Sequence, residues 1–139
     1  MDAPTINATH LAEAIGRWNA GDLDGYLELY DPSILLYGYS EQPMSKPEVA
    51  GMYRGLHDAL EDIHIEVHDV IEEGDRLSAR ATMSGTHRGE LFGVPGTGVH
   101  VVQPVITHLR FVDGRCVERW SVADTLAVLL QIGAVTLPG

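Results

Sequence analysis

The chain has 139 residues, of which 45% are hydrophobic and 21% are charged, and its formal net charge is −11. A chain of this length can form one domain with its own core, here residues 1–139, and the negative charge argues against nucleic acid or anionic membranes as partners. No apolar run is long enough to span a membrane, and the start of the chain lacks the pattern of a signal peptide, so we expect a cytoplasmic protein.

Three helices are predicted in the first half of the chain. The first is amphipathic, and its apolar stripe consists of Leu11, Ile15 and Trp18. Asp22 predicts the start of a second, short helix. Residues 45–48 (Ser-Lys-Pro-Glu) form a capping-box pattern with proline in the first turn, which is a specific signal for a helix start. The apolar side of this third helix consists of Val49, Met52, Leu56, Leu60 and Ile63.

The remaining elements read mainly as strands. Residues 34–39 are apolar and aromatic enough for one strand. From Ile63 to Ser84 the hydrophobic period changes to two, which predicts two strands joined by a turn. A glycine-rich connection over 85–98 follows, and then a long strand over 99–112. Pro104 within that strand suggests a bulge or an edge position, because proline has no N–H to donate.

A hairpin and a helix end the chain. Asp113 and Gly114 predict a type I′ turn. On the following strand, alternation places Glu118, Trp120, Val122 and Asp124 on one face and Val117, Arg119, Ser121 and Ala123 on the other. Asp124 directly precedes the apolar run of the last helix. Its carboxylate can cap that helix, or it can point into a pocket that Trp120 helps to line.

The order of elements predicts an α+β fold. Helices come first and antiparallel strands follow, so we expect a bent antiparallel sheet with helices over one face. Seven histidines invite a metal site, but His64 and His68 lie on a predicted strand, where residues four apart are about 13 Å from each other. No metal-binding or phosphate-binding motif occurs elsewhere in the sequence. We therefore expect no metal and no cofactor.

Acid–base chemistry is the kind of catalysis that remains. A carboxylate in an apolar pocket has a raised pKa and can act as a general base toward a C–H acid, while histidines donate to the enolate that forms. Asp124, His108 and His87 are the candidates for these roles. Alternatively, Asp124 only caps the last helix, His108 is a hydrogen-bonded strand residue and His87 lies in a loop. Both interpretations are open at the level of the residues.

Several short motifs lie between Asp62 and Gly133. They are Glu73-Gly74-Asp75, Gly85-Thr86-His87-x-Gly89, Phe92-Gly93-Val94-Pro95-x-Thr97-Gly98, Arg110-Phe111-x-Asp113-Gly114, Glu118-x-Trp120-x-x-x-Asp124 and Gln131-Ile132-Gly133. As a set they resemble the SnoaL-like polyketide cyclase family, which has the nuclear-transport-factor-like (ketosteroid-isomerase-like) fold. One departure is Gly96, which replaces the second proline of the usual Pro-Pro-Thr-Gly run. The first half of the chain matches the family in pattern only.

This resemblance implies a cone-shaped α+β barrel, in which N-terminal helices wrap a curved antiparallel sheet around an apolar pocket. It also implies a homodimer. Founding members of the family close a ring by an intramolecular aldol reaction in aromatic polyketide biosynthesis, without metal or cofactor, and use a pocket aspartate that matches Asp124 here. A polar residue two positions before Arg110 in the motif matches His108. The family also contains hydroxylases and proteins of other activities, so membership does not fix the reaction.

We therefore expect a cofactor-independent, cyclase-like enzyme that acts on a hydrophobic polyketide-like carbonyl substrate in natural-product biosynthesis. The expected catalytic residues are Asp124, His108 and His87. The expected substrate-binding residues are Trp18, Tyr30, Tyr37, Met52, Tyr53, Leu56, Arg110 and Trp120. The alternatives are a non-catalytic protein that binds a small molecule in the same pocket, a relative with another reaction (hydroxylation, isomerisation, epoxide or ester hydrolysis), and a dimeric scaffold without a formed pocket.

Overall fold

The computed structural model describes residues 5–139 and confirms the α+β fold. In chain order the elements are α1 (Ile6–Asn19), α2 (Leu23–Leu27), β1 (Tyr30–Tyr37), α3 (Lys46–Ala59), β2 (Leu60–Glu73), β3 (Arg76–His87), β4 (His100–Val112), β5 (Arg115–Ala123) and α4 (Thr125–Gln131). No helix in this part of the chain is both long enough and apolar enough to cross a membrane.

The predicted helix starts are confirmed by their caps. The carboxylate of Asp22 accepts a hydrogen bond from the backbone N–H of Gly25 at 2.9 Å, which opens α2. At the start of α3, Ser45 and Glu48 each accept from the other's backbone N–H, so both halves of the capping box are present. The predicted end of α3 was wrong. The helix stops at Ala59 because the backbone becomes extended at Leu60, which pairs with His87 in the sheet.

The five strands form one curved, unclosed sheet in the order β1-β5-β4-β3-β2. Strands β2 to β5 pair in antiparallel succession, as predicted. Strand β1 is different, because it pairs in parallel with β5 at the far end of the sheet. It also begins at Tyr30, earlier than the apolar stretch that predicted it. The N-terminal part of the chain is thereby joined to its last strand.

The turn between β4 and β5 has the predicted type. Asp113 and Gly114 have φ values of 50° and 80°, which confirms the type I′ hairpin between these strands.

Pro104 lies in β4, an interior strand, and its pairing with β3 runs without a register shift. The predicted bulge or edge position is therefore wrong. The Pro104 carbonyl accepts from Asp124 N at 2.9 Å, on the side where β5 has ended at Ala123. The N–H that proline lacks would point to that same side, so its absence breaks no hydrogen bond between β4 and β3.

The two faces of the sheet have different surroundings. Helices cover the inner face, and the core between them includes Trp18, Tyr26, Val49, Leu77, Leu109 and Val128. The outer face is open and keeps large apolar residues in contact with solvent. Val122 is 78% exposed and Ile106, its cross-strand partner, is 60% exposed. This asymmetry decides which side chains can belong to an internal site.

Candidate active site

A cavity of about 440 Å³ lies between the helices and the inner face of the sheet. This volume is within the usual range for small-molecule sites. Most of its wall is apolar, with side chains from α1, α3, β2, β3, β4 and α4. These include Leu11, Ile15, Trp18, Met52, Leu56, Ile65, Val67, Met83, Val105 and Val128. An apolar ligand of several fused rings or of comparable size is the kind of molecule that such a wall accommodates.

One part of the wall is polar, and it is centred on Arg119. The Nε of Arg119 donates to Thr107 Oγ1 at 2.8 Å and to Ser121 Oγ at 3.2 Å. Its Nη1 donates to Tyr26 OH at 2.7 Å and to Tyr30 OH. Four hydroxyl groups from the helices and the sheet thus hold the guanidinium in one orientation. Nη2 has no hydrogen-bond partner among residues 5–139, although the side chain lines the cavity.

The hydroxyl network extends to two more tyrosines. Tyr30 OH lies 2.7 Å from Tyr53 OH, which lies 3.0 Å from Tyr39 OH. We call Arg119 with these hydroxyl residues the arginine–tyrosine cluster; its other members are Tyr26, Tyr30, Tyr39, Tyr53, Thr107 and Ser121. Burial raises the pKa of Tyr30 and of Tyr53 well above the ordinary tyrosine value. Both phenols are therefore neutral at pH 7 and can only share protons through hydrogen bonds.

The charge of Arg119 is not balanced by a carboxylate. Burial acts to lower the pKa of its guanidinium, but the surrounding tyrosine oxygens raise that pKa above the ordinary arginine value. The side chain stays cationic. The ion pairs formed by residues 5–139 involve Arg17, Arg54, Arg76, Arg88 and Arg110. Arg119 is absent from this set, so the cavity wall carries a positive charge stabilised only by neutral hydroxyls.

Strand alternation explains why the cluster faces the cavity. Arg119, Ser121 and Ala123 lie on the inner face of β5 and line the cavity together with Thr107 of β4. The opposite face of β5 carries Trp120, and it points away from the cavity. The prediction that the pocket lies on the Trp120 face is wrong, because the helices cover the other face of the strand.

Four of the predicted site residues share the outer face. Trp120 stacks on Tyr37 with ring centroids 5.3 Å apart, and Arg110 pairs with Glu118. His108 Nδ1 hydrogen-bonds to Ser78 Oγ at 2.7 Å. None of Tyr37, His108, Arg110 and Trp120 lines the cavity. These four residues do not contact the cavity, and their role in binding or catalysis stays a prediction.

Asp124 occupies the N-cap of α4. Its Oδ1 accepts a hydrogen bond from Ala127 N at 3.0 Å, and the side chain is exposed. The neighbours on either side, Ala123 and Thr125, both line the cavity, but Asp124 itself does not. Its Oδ2 has no hydrogen-bond partner among residues 5–139. The capping interaction is therefore present, and the predicted catalytic role is one that only an activity measurement can test.

His87 is fully buried at the end of β3 and does not line the cavity. Thr97 N–H donates to its Nδ1 at 3.3 Å, and the Thr97 hydroxyl lies 2.9 Å from the same atom. Because Nδ1 accepts this hydrogen bond, an N–H of the ring lies on Nε2, which has no hydrogen-bond partner among residues 5–139. His87 ties the glycine-rich connection to the sheet. Its predicted catalytic role stays untested.

The structure places the other predicted residues at the cavity. Trp18, Met52, Tyr53 and Leu56 line it, and Tyr30 lies directly behind the wall in the arginine–tyrosine cluster. The cavity lining also contains polar residues that the sequence did not single out as site residues: Tyr26, Tyr39, Glu90, Thr107, Arg119 and Ser121. The alternation of β5 could have indicated this part of the site. It places Arg119 on the same face as two small residues, Ser121 and Ala123, which leave space beside the arginine.

Glu90 is the one carboxylate in the cavity lining that residues 5–139 form. It is exposed and lies in the connection between β3 and β4, next to Leu91 and Phe92, which also line the cavity. Phe92 is 55% exposed and has a φ of 51°. Glu90 and Phe92 form the solvent-exposed rim of the cavity, and Leu91 between them is buried. No group of three or more potential metal ligands occurs in the described part of the chain.

The comparisons with known proteins agree with this geometry. A family model described as SnoaL-like polyketide cyclase matches residues 9–132. The chain is 25% identical over 128 residues to nogalonic acid methyl ester cyclase of Streptomyces nogalater, covering 88% of this chain and 92% of that protein. It is 32% identical over 73 residues to aklanonic acid methyl ester cyclase DnrD of Streptomyces peucetius, a stretch covering 52% of this chain and 50% of that protein.

Solved structures give the same result for the fold. AclR of Streptomyces galilaeus, a proposed hydroxylase, superposes with a TM-score of 0.87 at 32% identity and covers 94% of this chain and 97% of its own. IdmH of Streptomyces antibioticus, a proposed polyketide cyclase, superposes with a TM-score of 0.78 at 29% identity and covers 91% and 98%. The two neighbours share the fold and differ in the reaction that is ascribed to them.

Proposed function

The chain belongs to the SnoaL-like polyketide cyclase family, and from this premise we propose that it is a cofactor-independent enzyme that closes a ring in a hydrophobic polyketide-like carbonyl substrate. The observation that carries the proposal is the apolar cavity with one polar, cationic part of its wall, the arginine–tyrosine cluster. The apolar wall suits the carbon skeleton of such a substrate. The cluster suits the carbonyl oxygen on which negative charge develops.

The proposed step is an intramolecular aldol addition. A base takes a proton from a carbon next to a carbonyl group, and the resulting enolate carbon attacks a second carbonyl of the same molecule. One C–C bond forms, and the new alkoxide then takes up a proton, so that product and substrate have the same mass. N–H and O–H donors of the arginine–tyrosine cluster stabilise the enolate oxygen, because donors in a site of low polarity act strongly on developing charge.

Two carboxylates can serve as the proton acceptor. We assign the role to Asp124, because Ala127 N–H holds Oδ1 and leaves Oδ2 free, and because Asp124 lies between two lining residues. The rival is Glu90, which lines the cavity but lies at its exposed rim. We assign polarisation of the substrate carbonyl to Arg119. His108 and His87 were predicted for this role, but neither histidine lines the cavity.

The test uses the substrates in the names of the two curated relatives. We expect the protein to convert nogalonic acid methyl ester or aklanonic acid methyl ester into an isomer of equal mass and different retention, measured by liquid chromatography with mass detection. Chelator should leave the rate unchanged. A product that gains the mass of one oxygen atom would contradict ring closure and favour the hydroxylase alternative, to which the similarity to AclR points.

A second candidate function is binding without turnover. It is favoured by the position of Asp124, whose carboxylate caps α4 outside the cavity, and by the exposure of Glu90. In that case the cavity would carry or sense an apolar molecule. Saturable binding of either methyl ester, with no product after prolonged incubation at high protein concentration, would support this candidate over the enzyme.

We also propose that two copies of the chain pair through the outer face of the sheet. Ile106 and Val122 are exposed cross-strand neighbours, and the stacked rings of Trp120 and Tyr37 lie on the same face. A contiguous exposed apolar surface is typical of an interaction site. Sedimentation equilibrium should show a dimer, and the double variant Ile106→Lys, Val122→Lys should be a folded monomer. Leu137→Lys, in the C-terminal segment, should remain dimeric; a monomeric wild-type protein would contradict the proposal.

A further inference from the structure

We propose that the cavity selects hydrophobic ligands that carry an anionic oxygen over neutral ligands of the same shape, and that Nη2 of Arg119 is the atom that binds this oxygen. The inference rests on the proposed function for the identity of the site, since it concerns the same cavity. It goes further in naming the charge of the ligand. The shared chemistry is an oxyanion on an apolar skeleton, either a carboxylate or the enolate of an acidic enol.

The charge of Arg119 has no carboxylate partner among residues 5–139. Arg80 and Arg115 also lack an ion pair among residues 5–139, but both are exposed and solvated by water. Arg119 is half-buried at the cavity wall, and burial removes part of the water around its guanidinium. A shielded cation gains more from a nearby anion than an exposed one does, because the surrounding medium screens the attraction less.

The residues that contact Arg119 cannot supply the missing negative charge. Tyr26, Tyr30, Thr107 and Ser121 contact the guanidinium through hydroxyl groups, and none of them is a carboxylate. Burial of Tyr30 and Tyr53 holds the pKa of both phenols well above neutral pH, so neither becomes a phenolate that could pair with the arginine. Glu90, the one carboxylate in the cavity lining of residues 5–139, lies at the exposed rim and forms no ion pair with Arg119, so an anion beside the guanidinium has to come from a ligand.

The guanidinium of Arg119 is held in one orientation. Its Nε and Nη1 are held by four hydroxyls on two strands and on the segment from α2 to β1. The N–H groups of Nη2 have no partner among the described residues. A fixed donor with free N–H groups in a mostly apolar cavity binds a charged acceptor without first having to break an existing hydrogen bond.

The experiment compares matched pairs of probes by calorimetry at pH 7. One pair is 2-naphthoic acid and its methyl ester; the other is 2-hydroxy-1,4-naphthoquinone, which is ionised at this pH, and its methyl ether. We expect the anion of at least one pair to bind more tightly than its neutral partner, by about tenfold or more. The pair that shows the larger preference distinguishes a carboxylate from an enolate as the natural group.

Variants assign the preference to Arg119. Arg119→Met should remove the preference while the neutral probes bind as before, and Arg119→Lys should retain part of it because the charge remains. Arg80→Met, which removes an exposed arginine, should behave as wild type. If Arg119→Met does not fold, the anion preference of Arg119→Lys is compared with that of wild type and of Arg80→Met. A weaker preference in Arg119→Lys alone supports the proposal, and an unchanged preference in Arg119→Lys contradicts it.

Equal or weaker binding of both anions by the wild-type protein overturns the proposal, as does an anion preference that is unchanged in Arg119→Met. Absence of measurable binding by either anion overturns it as well. These outcomes are separate from failure of the proposed function. The probes cannot close a ring, so an anion preference can be found in a protein without turnover, and turnover can be found in a protein without the preference.

Discussion

Replacing Asp124 by asparagine is expected to lower the rate of ring closure by about 100-fold or more, while the melting temperature stays close to that of the wild type. An asparagine side-chain oxygen can still accept the hydrogen bond from Ala127 N that begins α4, and asparagine is as good an N-cap as aspartate. Its amide cannot take up a proton from carbon. The rate is followed by product formation and the stability by thermal unfolding.

Two further variants separate the possible outcomes. Asp124→Ala removes both functions, so it should lose activity and about 1 kcal/mol of unfolding free energy. Glu90→Gln removes the carboxylate in the cavity lining and should keep activity within a few-fold of wild type. Full activity of Asp124→Asn would show that Asp124 is only a cap. If Glu90→Gln then lost the activity, Glu90 would be the proton acceptor.

Replacing Gly38 by alanine is expected to destabilise the protein by about 3 kcal/mol, from the left-handed backbone conformation and from overpacking together. Gly38 lines the cavity just after β1 and has a φ of 89°. A Cβ at this position would lie far inside van der Waals contact with the backbone oxygen of Ser121. That oxygen belongs to β5, so relief of the clash requires β1 and β5 to separate. The change is measured by urea unfolding.

Gly74 provides the matched control for Gly38. Its φ is also positive, at 60°, but a Cβ there would meet nothing within 4 Å. Gly74→Ala should therefore show only the conformational cost, about 1 to 2 kcal/mol. Equal effects of the two substitutions would contradict the argument from close approach. The unfolding free energy of Gly38→Ala should instead fall by clearly more than that of Gly74→Ala.

Local sequence signals predicted most element starts correctly. The capping box at Ser45 and the turn at Asp113 are set by side chains and φ preferences within four residues, so no distant contact is needed to recognise them. The end of α3 and the start of β1 were predicted wrongly. Leu60 continues the apolar stripe of the helix but pairs with His87, and Tyr30 pairs in parallel with Cys116. These pairings link distant segments and override local preference.

The site was harder to predict than the fold because both faces of β4 and β5 carry apolar residues. Ile106 and Val122 are exposed, while Val105 and Ala123 line the cavity. Alternation therefore divided the residues into two sets correctly but did not say which set the helices cover. The arginine–tyrosine cluster depended on the same choice. Once the inner face is known, Arg119, Thr107 and Ser121 follow from the strand register.

The parallel pairing of β1 with β5 has a consequence for how the site comes into being during synthesis. Arg119 contacts Tyr26 and Tyr30 across 93 and 89 residues of chain. A ribosome has therefore made all four earlier strand-forming segments before the arginine exists. Contacts of such long sequence separation form slowly, because the entropy of closing the chain opposes them. The arginine–tyrosine cluster cannot form in a nascent chain that stops before β5. A complete cluster therefore requires that β5 has paired with β1, which was synthesised much earlier.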